Sequence, residues 1–198
     1  NNYDQSTFMN PVIFPSTASQ VSSIFSNGKY SGYYNSRTCS VHSNGEAYCW
    51  GSGYSSGQYG VSSVNQAGGY LLGDGINYGT NPSSTRLPVE IYNPTNHSIT
   101  QLSLNSRSTC ALMDNGSIYC LGYNFNGELG DGTTCRNGTY LNNCNGGDWK
   151  PVFYDPVILP DGLYAIGITP GSGTDQCAML ENGRAFCWGI NWNGGGMD

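Results

Sequence analysis

Eight cysteines are the residues of this 198-residue chain best suited to chemistry, either as disulfide partners or as metal ligands. Zinc sites use close Cys-x2-Cys pairs supplemented by further Cys or His. Here only two histidines are present, and the cysteines form four widely spaced pairs. These pairs are Cys39 with Cys49, Cys110 with Cys120, Cys135 with Cys144, and Cys177 with Cys187. The spacing therefore favours disulfides, an oxidising extracellular compartment and no metal or other cofactor.

Side chains suited to acid–base or nucleophilic catalysis occur, but not at catalytic spacing. His42 lies on a predicted hairpin and His97 in a polar loop, and neither has a nucleophile and an acid at a recognisable distance along the chain. Asp74 and Asp131 lie in Gly-Asp-Gly turns, where an Asp side chain bonds to the nearby backbone. The Gly194-Gly-Gly stretch lacks the Lys-Ser/Thr of a phosphate loop. We predict no catalytic residue and no enzyme activity.

Composition and charge argue against two further classes of function. The chain is 10% charged and contains 29 Gly and 15 Tyr, which favours a loop-rich all-β fold over helices. Its net charge is −6, and its seven Lys and Arg are scattered, so a basic patch for nucleic acid is not expected. An apolar run of membrane-spanning length is absent from the sequence. The sequence starts at Asn1 without a signal peptide, so we expect a mature form or a fragment.

The cysteine pairs belong to a unit that occurs three times and must position them. Each copy has an Asn-Gly between its two cysteines and a glycine two residues after the second cysteine. With a three-residue loop, Asp114-Asn115-Gly116, Cys110 falls directly opposite Cys120 on a β-hairpin. The same count applies to the other two copies, so we predict three cross-strand disulfides, Cys39–Cys49, Cys110–Cys120 and Cys177–Cys187. In the chain-entropy view a bridge across so short a loop stabilises the fold by roughly 2–3 kcal/mol.

Two more short strands precede each cysteine hairpin. One begins with Pro-Val, at residues 11–14, 88–91 and 156–159, and the other covers residues 21–25, 99–104 and 164–168. Four short antiparallel strands with turn residues between them are typical of a β-propeller blade. We therefore predict an all-β chain with a single array of three propeller-type repeats. Their approximate limits are 11–75, 88–134 with an insertion at 135–144, and 156–198.

The stretch after the second cysteine carries the most specific signal. In the second copy the unit continues as Asn-Gly-Glu-Leu-Gly-Asp-Gly-Thr-Thr up to residue 134. With the cysteine hairpin before it, this pattern resembles the regulator of chromosome condensation repeat, over nearly the whole chain in about three copies, best at 107–134. The resemblance implies propeller blades, usually about seven to a ring. The paired cysteines are similar to the extracellular branch of that family. Nuclear members act on a small GTPase and chromatin, which the disulfides and the acidic charge argue against here, and other members inhibit secreted enzymes through loop contacts.

Differences between the copies mark the candidate binding surface. Insertions lie at 61–72 and at 135–144, where we pair Cys135 with Cys144, and insertions on one face of a repeat array commonly bind partners. Trp50, Leu121 and Trp188 share one repeat position and are expected to pack between blades. The binding candidates are aromatic residues of turns and of the clipped loop or its flank, Tyr54, Phe125, Trp192, Tyr140 and Trp149. Burial of these aromatics within the loops stays open as an alternative. Candidate glycosylation sites are Asn96, Asn115 and Asn137.

Three blades do not close a propeller of the usual size. The sequence is compatible with a segment of a longer protein, with a ring assembled from several chains, and with a head-to-tail filament, and we favour the segment. The function we predict is a secreted or cell-surface binding protein that uses the loop face of a disulfide-stapled propeller. The alternatives are a structural subunit of an extracellular filament or surface layer, and a carbohydrate-binding lectin. The expected partner is a protein, a further copy or a glycan.

Overall fold

The computed structural model describes eight stretches of the chain. They are residues 11–27, 37–52, 84–105, 107–124, 126–134, 149–150, 152–169 and 175–189. The predicted repeat limits fall partly outside these stretches and stay predictions.

The regular secondary structure in these stretches is β, in three antiparallel sheets in which each strand pairs with the next one along the chain. The first sheet contains β1 (Val21–Ser26), β2 (Arg37–His42), β3 (Ala47–Ser52) and β4 (Ser84–Glu90). The second contains β5 (Ile99–Leu104), β6 (Ser108–Met113), β7 (Ile118–Tyr123) and β8 (Trp149–Lys150). The third contains β9 (Ala165–Ile168), β10 (Gln176–Leu180) and β11 (Ala185–Trp188). The predicted all-β class and small antiparallel blades are confirmed.

The cysteine hairpins have the register that the loop count predicts. In the second sheet Cys110 lies opposite Cys120 and Leu112 opposite Ile118. The loop closes where the amide of Gly116 donates to the carbonyl of Met113 at 3.0 Å. Gly116 has φ +80°, a left-handed conformation that favours glycine. The cysteines of the first and third sheets face each other in the same register.

The run that begins at Pro88 has a different place from the predicted one. The sequence suggested that it opens the blade of its own repeat, but Val89 pairs with Cys49 of the preceding sheet. Pro156 likewise forms a β-bridge with Tyr119 of the preceding sheet. Each of these two runs therefore lies along the outer edge of the sheet before it. The reason is that the chain reaches this unpaired edge before it crosses to the next sheet, and consecutive elements usually lie side by side.

The sheets stack face to face around two apolar cores. We call the face of each sheet that carries its cysteine bridge the disulfide face, and the other its reverse face. The disulfide face of one sheet packs against the reverse face of the next. The first core contains, among others, Cys39, Cys49, Ile91, Leu102, Met113 and Leu121, and the second contains Cys110, Cys120, Val157, Ala178, Leu180 and Trp188. Burial of these side chains holds successive sheets together.

Backbone hydrogen bonds also join successive sheets, at the hairpin turns. The amide of Ile99 donates to the carbonyl of Gly45 at 3.1 Å, and the amide of Ala165 donates to the carbonyl of Gly116 at 2.9 Å. A Cβ atom on Gly116 would lie only 2.7 Å from the Cβ of Tyr164. The Asn-Gly turn therefore serves the contact between sheets as well as the hairpin.

Polar side chains join the sheets at the end opposite the hairpin turns. The guanidinium of Arg37 is fully buried and donates to the carbonyl of Ser108 and the hydroxyl of Thr109. Burial lowers the pKa of Arg37 to about 9. At the next boundary the hydroxyl of Ser103 donates to Gln176 Oε1. Such buried contacts fix how one sheet is set against the next.

Candidate binding surface

Several residues singled out from the sequence lie outside the described part of the chain. They are the binding candidates Tyr54, Phe125, Tyr140 and Trp192, the pair Cys135 and Cys144, the sequon at Asn137, and Asp74 and Gly194. Trp149 belongs to β8, where its backbone pairs with that of Tyr123. The binding role of these residues stays a prediction.

The structure contains the three cross-strand disulfides that the hairpin count gives. In each, Cys39–Cys49, Cys110–Cys120 and Cys177–Cys187, the Cα atoms are 4.1 Å apart. The first two bridges are buried between sheets, and the third is half-buried. Three bridges at equivalent places stiffen one hairpin in each described sheet and indicate an oxidising location for the folded chain.

Two of the three residues directly after the second cysteines pack between sheets, as the sequence predicted, and the third packs on a segment before β1. Leu121 is fully buried in the first core and Trp188 is 6% exposed in the second. Trp50 lies in an edge-to-face contact with Phe14, with ring centroids 5.7 Å apart. This position therefore contributes packing rather than an exposed contact.

A polar groove of about 640 Å³ lies at the hairpin-turn end, between the first and second sheets. One side is the turn of the first hairpin, and the other is the connection from β4 to β5. Tyr92 on that connection is 58% exposed. The lining residues that matter here are Glu46, Glu90, Tyr92, Asn93, Asn96 and His97. Sequence reasoning missed this groove, because its two sides are far apart in the chain.

Short side-chain hydrogen bonds hold the wall of the groove. Asn93 Oδ1 accepts from the amide of Thr95 at 3.0 Å, and Asn93 Nδ2 donates to the carbonyl of His97 at 2.8 Å. The ring of His97 lies 2.9 Å from Asp114 on the next hairpin. Asn side chains commonly fix turns in this way. The wall is thus ordered before any partner binds, which lowers the entropy cost of binding.

Two of the side chains that line the groove, Glu46 and Glu90, are acidic. The hydroxyl of Tyr48 donates to Glu46 Oε2 at 3.2 Å. Burial, together with the carboxylates of Glu46 and Glu90, raises the pKa of Tyr48 to about 12. The phenol therefore stays neutral at physiological pH, and the two carboxylates give the groove a negative potential that suits basic or hydrogen-bond-donating groups.

Two of the candidate glycosylation sites lie at the surface on the same end of the molecule. Asn96 is exposed and borders the groove. Asn115 is exposed at the tip of the second hairpin, where its Oδ1 accepts from the amide of Ser117 at 3.0 Å. Both positions are open to modification, and their occupancy stays a prediction.

The loop after β7 supports the structural interpretation of Asp131. Its Oδ1 accepts from the amide of Thr133 at 3.0 Å, and its Oδ2 accepts from Lys150. Burial acts to raise the pKa of Asp131, but the hydrogen bonds from Lys150 and Thr133 hold it below its ordinary value. Glu128 is fully buried 3.6 Å from Arg107, and burial raises its pKa. Sequence reasoning missed Glu128 and Lys150 because their partners come from separate turns.

Within the described stretches, His42 is buried against its partners. His42 Nε2 lies 3.0 Å from the hydroxyl of Ser40, and Nδ1 lies 2.6 Å from the carbonyl of Ser19. Both side chains are buried, at 2% and 0% exposure, so a substrate cannot reach this Ser–His pair. A group of His, Cys, Asp and Glu suited to a metal ion is not found among the described residues. In the same stretches, no helix has the length and apolar character of a membrane span.

Comparison with known proteins supports the repeat seen in the sequence. Residues 99–128 match the family described as the Regulator of chromosome condensation (RCC1) repeat. No curated protein sequence matches the chain. The middle copy therefore matches the RCC1 repeat over these residues, and the resemblance inferred from the sequence is confirmed there.

Solved propeller structures resemble the whole arrangement. Prp20p from Saccharomyces cerevisiae gives a TM-score of 0.50 at 16% identity, covering 77% of this chain and 31% of that chain. A structure of Kap60 bound to yeast RCC1 (Prp20) gives 0.51 at 18%, covering 86% and 32%. Human WBSCR16 gives 0.50 at 15%, covering 78% and 32%. The three sheets are thus blades of the β-propeller type, and this chain spans about a third of the length of those it matches.

Proposed function

We propose that this chain acts as a secreted or cell-surface binding module, which holds a protein partner at the hairpin-turn end of disulfide-stapled propeller blades and does not act as an enzyme. The loop face expected from the sequence, with insertions at 61–72 and 135–144, follows the other ends of β3 and β7 and stays a prediction. Prp20p is described with its binding to Gsp1p and histones, and yeast RCC1 with Kap60. Those partners do not transfer to this chain on fold alone. The likeness in fold supports a general role for blades of this type in protein interaction.

The polar groove between the first two sheets is the observation that carries the proposal. An exposed tyrosine beside two carboxylates and several fixed amides combines apolar area with directional hydrogen bonding, as at protein interfaces. The adjoining hairpin is cross-linked by Cys39–Cys49. The groove therefore offers a rigid surface for a partner with basic or donor groups.

A comparison of two equally exposed tyrosines tests the proposal. Wild-type chain, Tyr92→Ser and Tyr154→Ser are screened against arrayed extracellular protein domains and arrayed glycans. Tyr92 and Tyr154 are 58% and 57% exposed, but only Tyr92 lines the groove. We expect a protein ligand whose affinity falls about tenfold or more with Tyr92→Ser, a common loss for an interface tyrosine, and hardly changes with Tyr154→Ser.

Other results of this screen would contradict the proposal in defined ways. Equal affinity for all three chains would place the partner away from the groove. Binding to glycans alone, weakened by Tyr92→Ser, would establish the lectin alternative instead. The structural-subunit alternative has its own supporting observation, the exposed apolar side chains of Ile24 and Met179 at the two ends of the stack.

A further inference from the structure

The disulfide face of the third sheet is open, although the same face of the other two sheets is covered. Met179 on this face is 51% exposed, whereas its repeat equivalents Val41 and Leu112 are 3% and 4% exposed. Ala185 is exposed, while the equivalent Ala47 is fully buried. Among the described residues, nothing packs on this face as the second and third sheets pack on their predecessors. The face therefore presents an apolar surface of the kind that is buried twice within the chain.

The reverse face of the first sheet is open at its inner strand. Ile24 is 65% exposed, but its equivalent Leu102 is 2% exposed and belongs to the first core. The centre of this face is different, because Ser40 and His42 are buried there and the ring of Phe14 lies 4.9 Å from that of His42. The uncovered part on β1 therefore presents one apolar side chain, Ile24, among exposed serines, and carries no charge.

The segment around Ile13 lies before β1 and outside the described strands, at the repeat position of two segments that line a sheet edge. Ile91 and Val157 lie eight residues before Ile99 and Ala165, just as Ile13 lies eight residues before Val21. The amide of Ile91 donates to Ala47 at 2.8 Å, and the amide of Val157 donates to Ile118 at 2.7 Å, in each case at the edge of the preceding sheet. Ile91 and Val157 are 2% and 5% exposed, whereas Ile13 is 74% exposed.

The third sheet offers the edge that such a strand would complete. In the described stretches its order is β9, β10, β11, so β11 has a neighbour on one side only. Ala185, two residues before the second cysteine, is the equivalent of Ala47 and Ile118. In the first two sheets, the carbonyl at this repeat position accepts a hydrogen bond from the amide of the outer segment, Ile91 or Val157. An unpaired edge is a ready template for strand addition.

We propose that the two open ends bind each other in neighbouring copies of this chain, head to tail. The disulfide face of the third sheet of one copy packs on the reverse face of the first sheet of the next. The segment around Ile13 of the second copy pairs with β11 of the first, its amide donating to the carbonyl of Ala185. The packing of the two faces and the hydrogen bond to the outer segment each follow a contact made twice inside the chain, except that Phe14 covers the centre of the first sheet's reverse face. The arrangement is independent of binding at the groove.

Complementation between two single variants tests this geometry with the full 198-residue chain. Met179→Glu places a charge on one end and Ile24→Glu on the other. Burying an unpaired charge in such a contact is costly, so each variant alone should associate about tenfold or more weakly than wild type in sedimentation velocity. An equimolar mixture should recover dimers, since each variant keeps one intact end. Ile158→Glu, at a position 62% exposed and away from both ends, should associate like wild type.

The same measurements can overturn the proposal. A wild-type chain that stays monomeric at all concentrations would do so, and so would association that both end variants retain. Association that is lost in Met179→Glu but unchanged in Ile24→Glu would show a symmetric contact between two third sheets instead. Thermal unfolding of each variant shows that it is folded, and recovery in the mixture shows the same independently. Ile13→Pro, which removes the donating amide, should weaken association without a new charge.

Discussion

At the scale of single residues, the glycine of each hairpin turn is subject to two constraints that can be separated. Gly116 and Gly183 have nearly the same left-handed backbone, with φ +80° and +82°. A Cβ on Gly116 would lie 2.7 Å from the Cβ of Tyr164 and 2.9 Å from the carbonyl oxygen of Ala165. A Cβ on Gly183 would meet nothing within 4 Å. A side chain at either position would therefore strain the backbone, but only a side chain at position 116 would also collide with the next sheet.

Gly116→Ala is expected to destabilise the chain more than Gly183→Ala. The left-handed conformation should cost both variants about 1–2 kcal/mol. Gly116→Ala should lose about 1–3 kcal/mol more, because the crowded atoms belong to the backbone and to a Cβ that cannot move aside. Denaturant unfolding of the two variants and wild type measures both free energies. Equal losses of unfolding free energy in the two variants would mean that the Gly116 turn does not pack against the next sheet.

At the scale of elements, the loop after β7 is held in place by buried carboxylates. The side chain of Asp131 is 2% exposed and is ion-paired to Lys150, whose side chain is 14% exposed. Asp131 also accepts from the hydroxyl and amide of Thr133. Together these contacts tie the loop to β8. The sequence marks Asp131 as a turn residue, but its charge partner lies on a strand 19 residues further along.

Asp131→Asn is expected to lower the free energy of unfolding by about 1–3 kcal/mol at neutral pH, since it removes a charged hydrogen bond. Because the pKa of Asp131 is lowered in the folded chain, its stabilising effect is complete above the ordinary value of 3.8 and is lost as the pH falls below it. The difference between wild type and variant should therefore shrink in acid. Denaturant unfolding at several pH values measures it.

Asp114→Asn provides the control for this loop. Asp114 also contacts a nitrogen-bearing side chain, the ring of His97, but the two side chains are 47% and 42% exposed. An exposed pair contributes little, so the loss should stay within about 0.5 kcal/mol. A loss for Asp131→Asn that is as small, or that does not depend on pH, would contradict a stabilising role for its buried ion pair.

The sequence predicts the cysteine hairpins but not the outer strands or the groove. The hairpin register follows from a local count, since the turn length alone decides that Cys110 faces Cys120. The outer strands could not be placed this way, because the choice between two neighbouring sheets depends on which edge is free. The groove needs Glu46 and Tyr92 side by side, and nothing local in the sequence relates their two connections.

At the scale of the whole molecule, the three sheets form a stack, and the disulfide bridge of the third sheet is less buried than the other two. The Cys39–Cys49 and Cys110–Cys120 bridges lie inside the two cores. The Cys177–Cys187 bridge lies on the open disulfide face and is half-buried. Equivalent bonds in the same chain therefore differ in how a soluble thiol or phosphine can approach them.

Mild reduction of dilute protein is expected to open Cys177–Cys187 about tenfold or more faster than the other two described bridges, because access governs attack on a disulfide sulfur. Alkylation at timed intervals, followed by peptide mass mapping, follows each bridge separately. Equal rates for the three would show that the end of the stack is as well covered as its middle. If the open ends associate, Cys177–Cys187 should be reduced more slowly at high protein concentration, because the association covers it.

The hydrogen bond from Ala165 to Gly116 has a consequence for how the folded chain opens. It is a main-chain bond that crosses from one sheet to the next, beside a core that the same two sheets bury between them. Separating the sheets breaks the bond and uncovers that core in a single event, so local unfolding proceeds by whole sheets rather than by single strands. Exchange of this one amide proton with solvent thus reports how readily the contact between the two sheets opens.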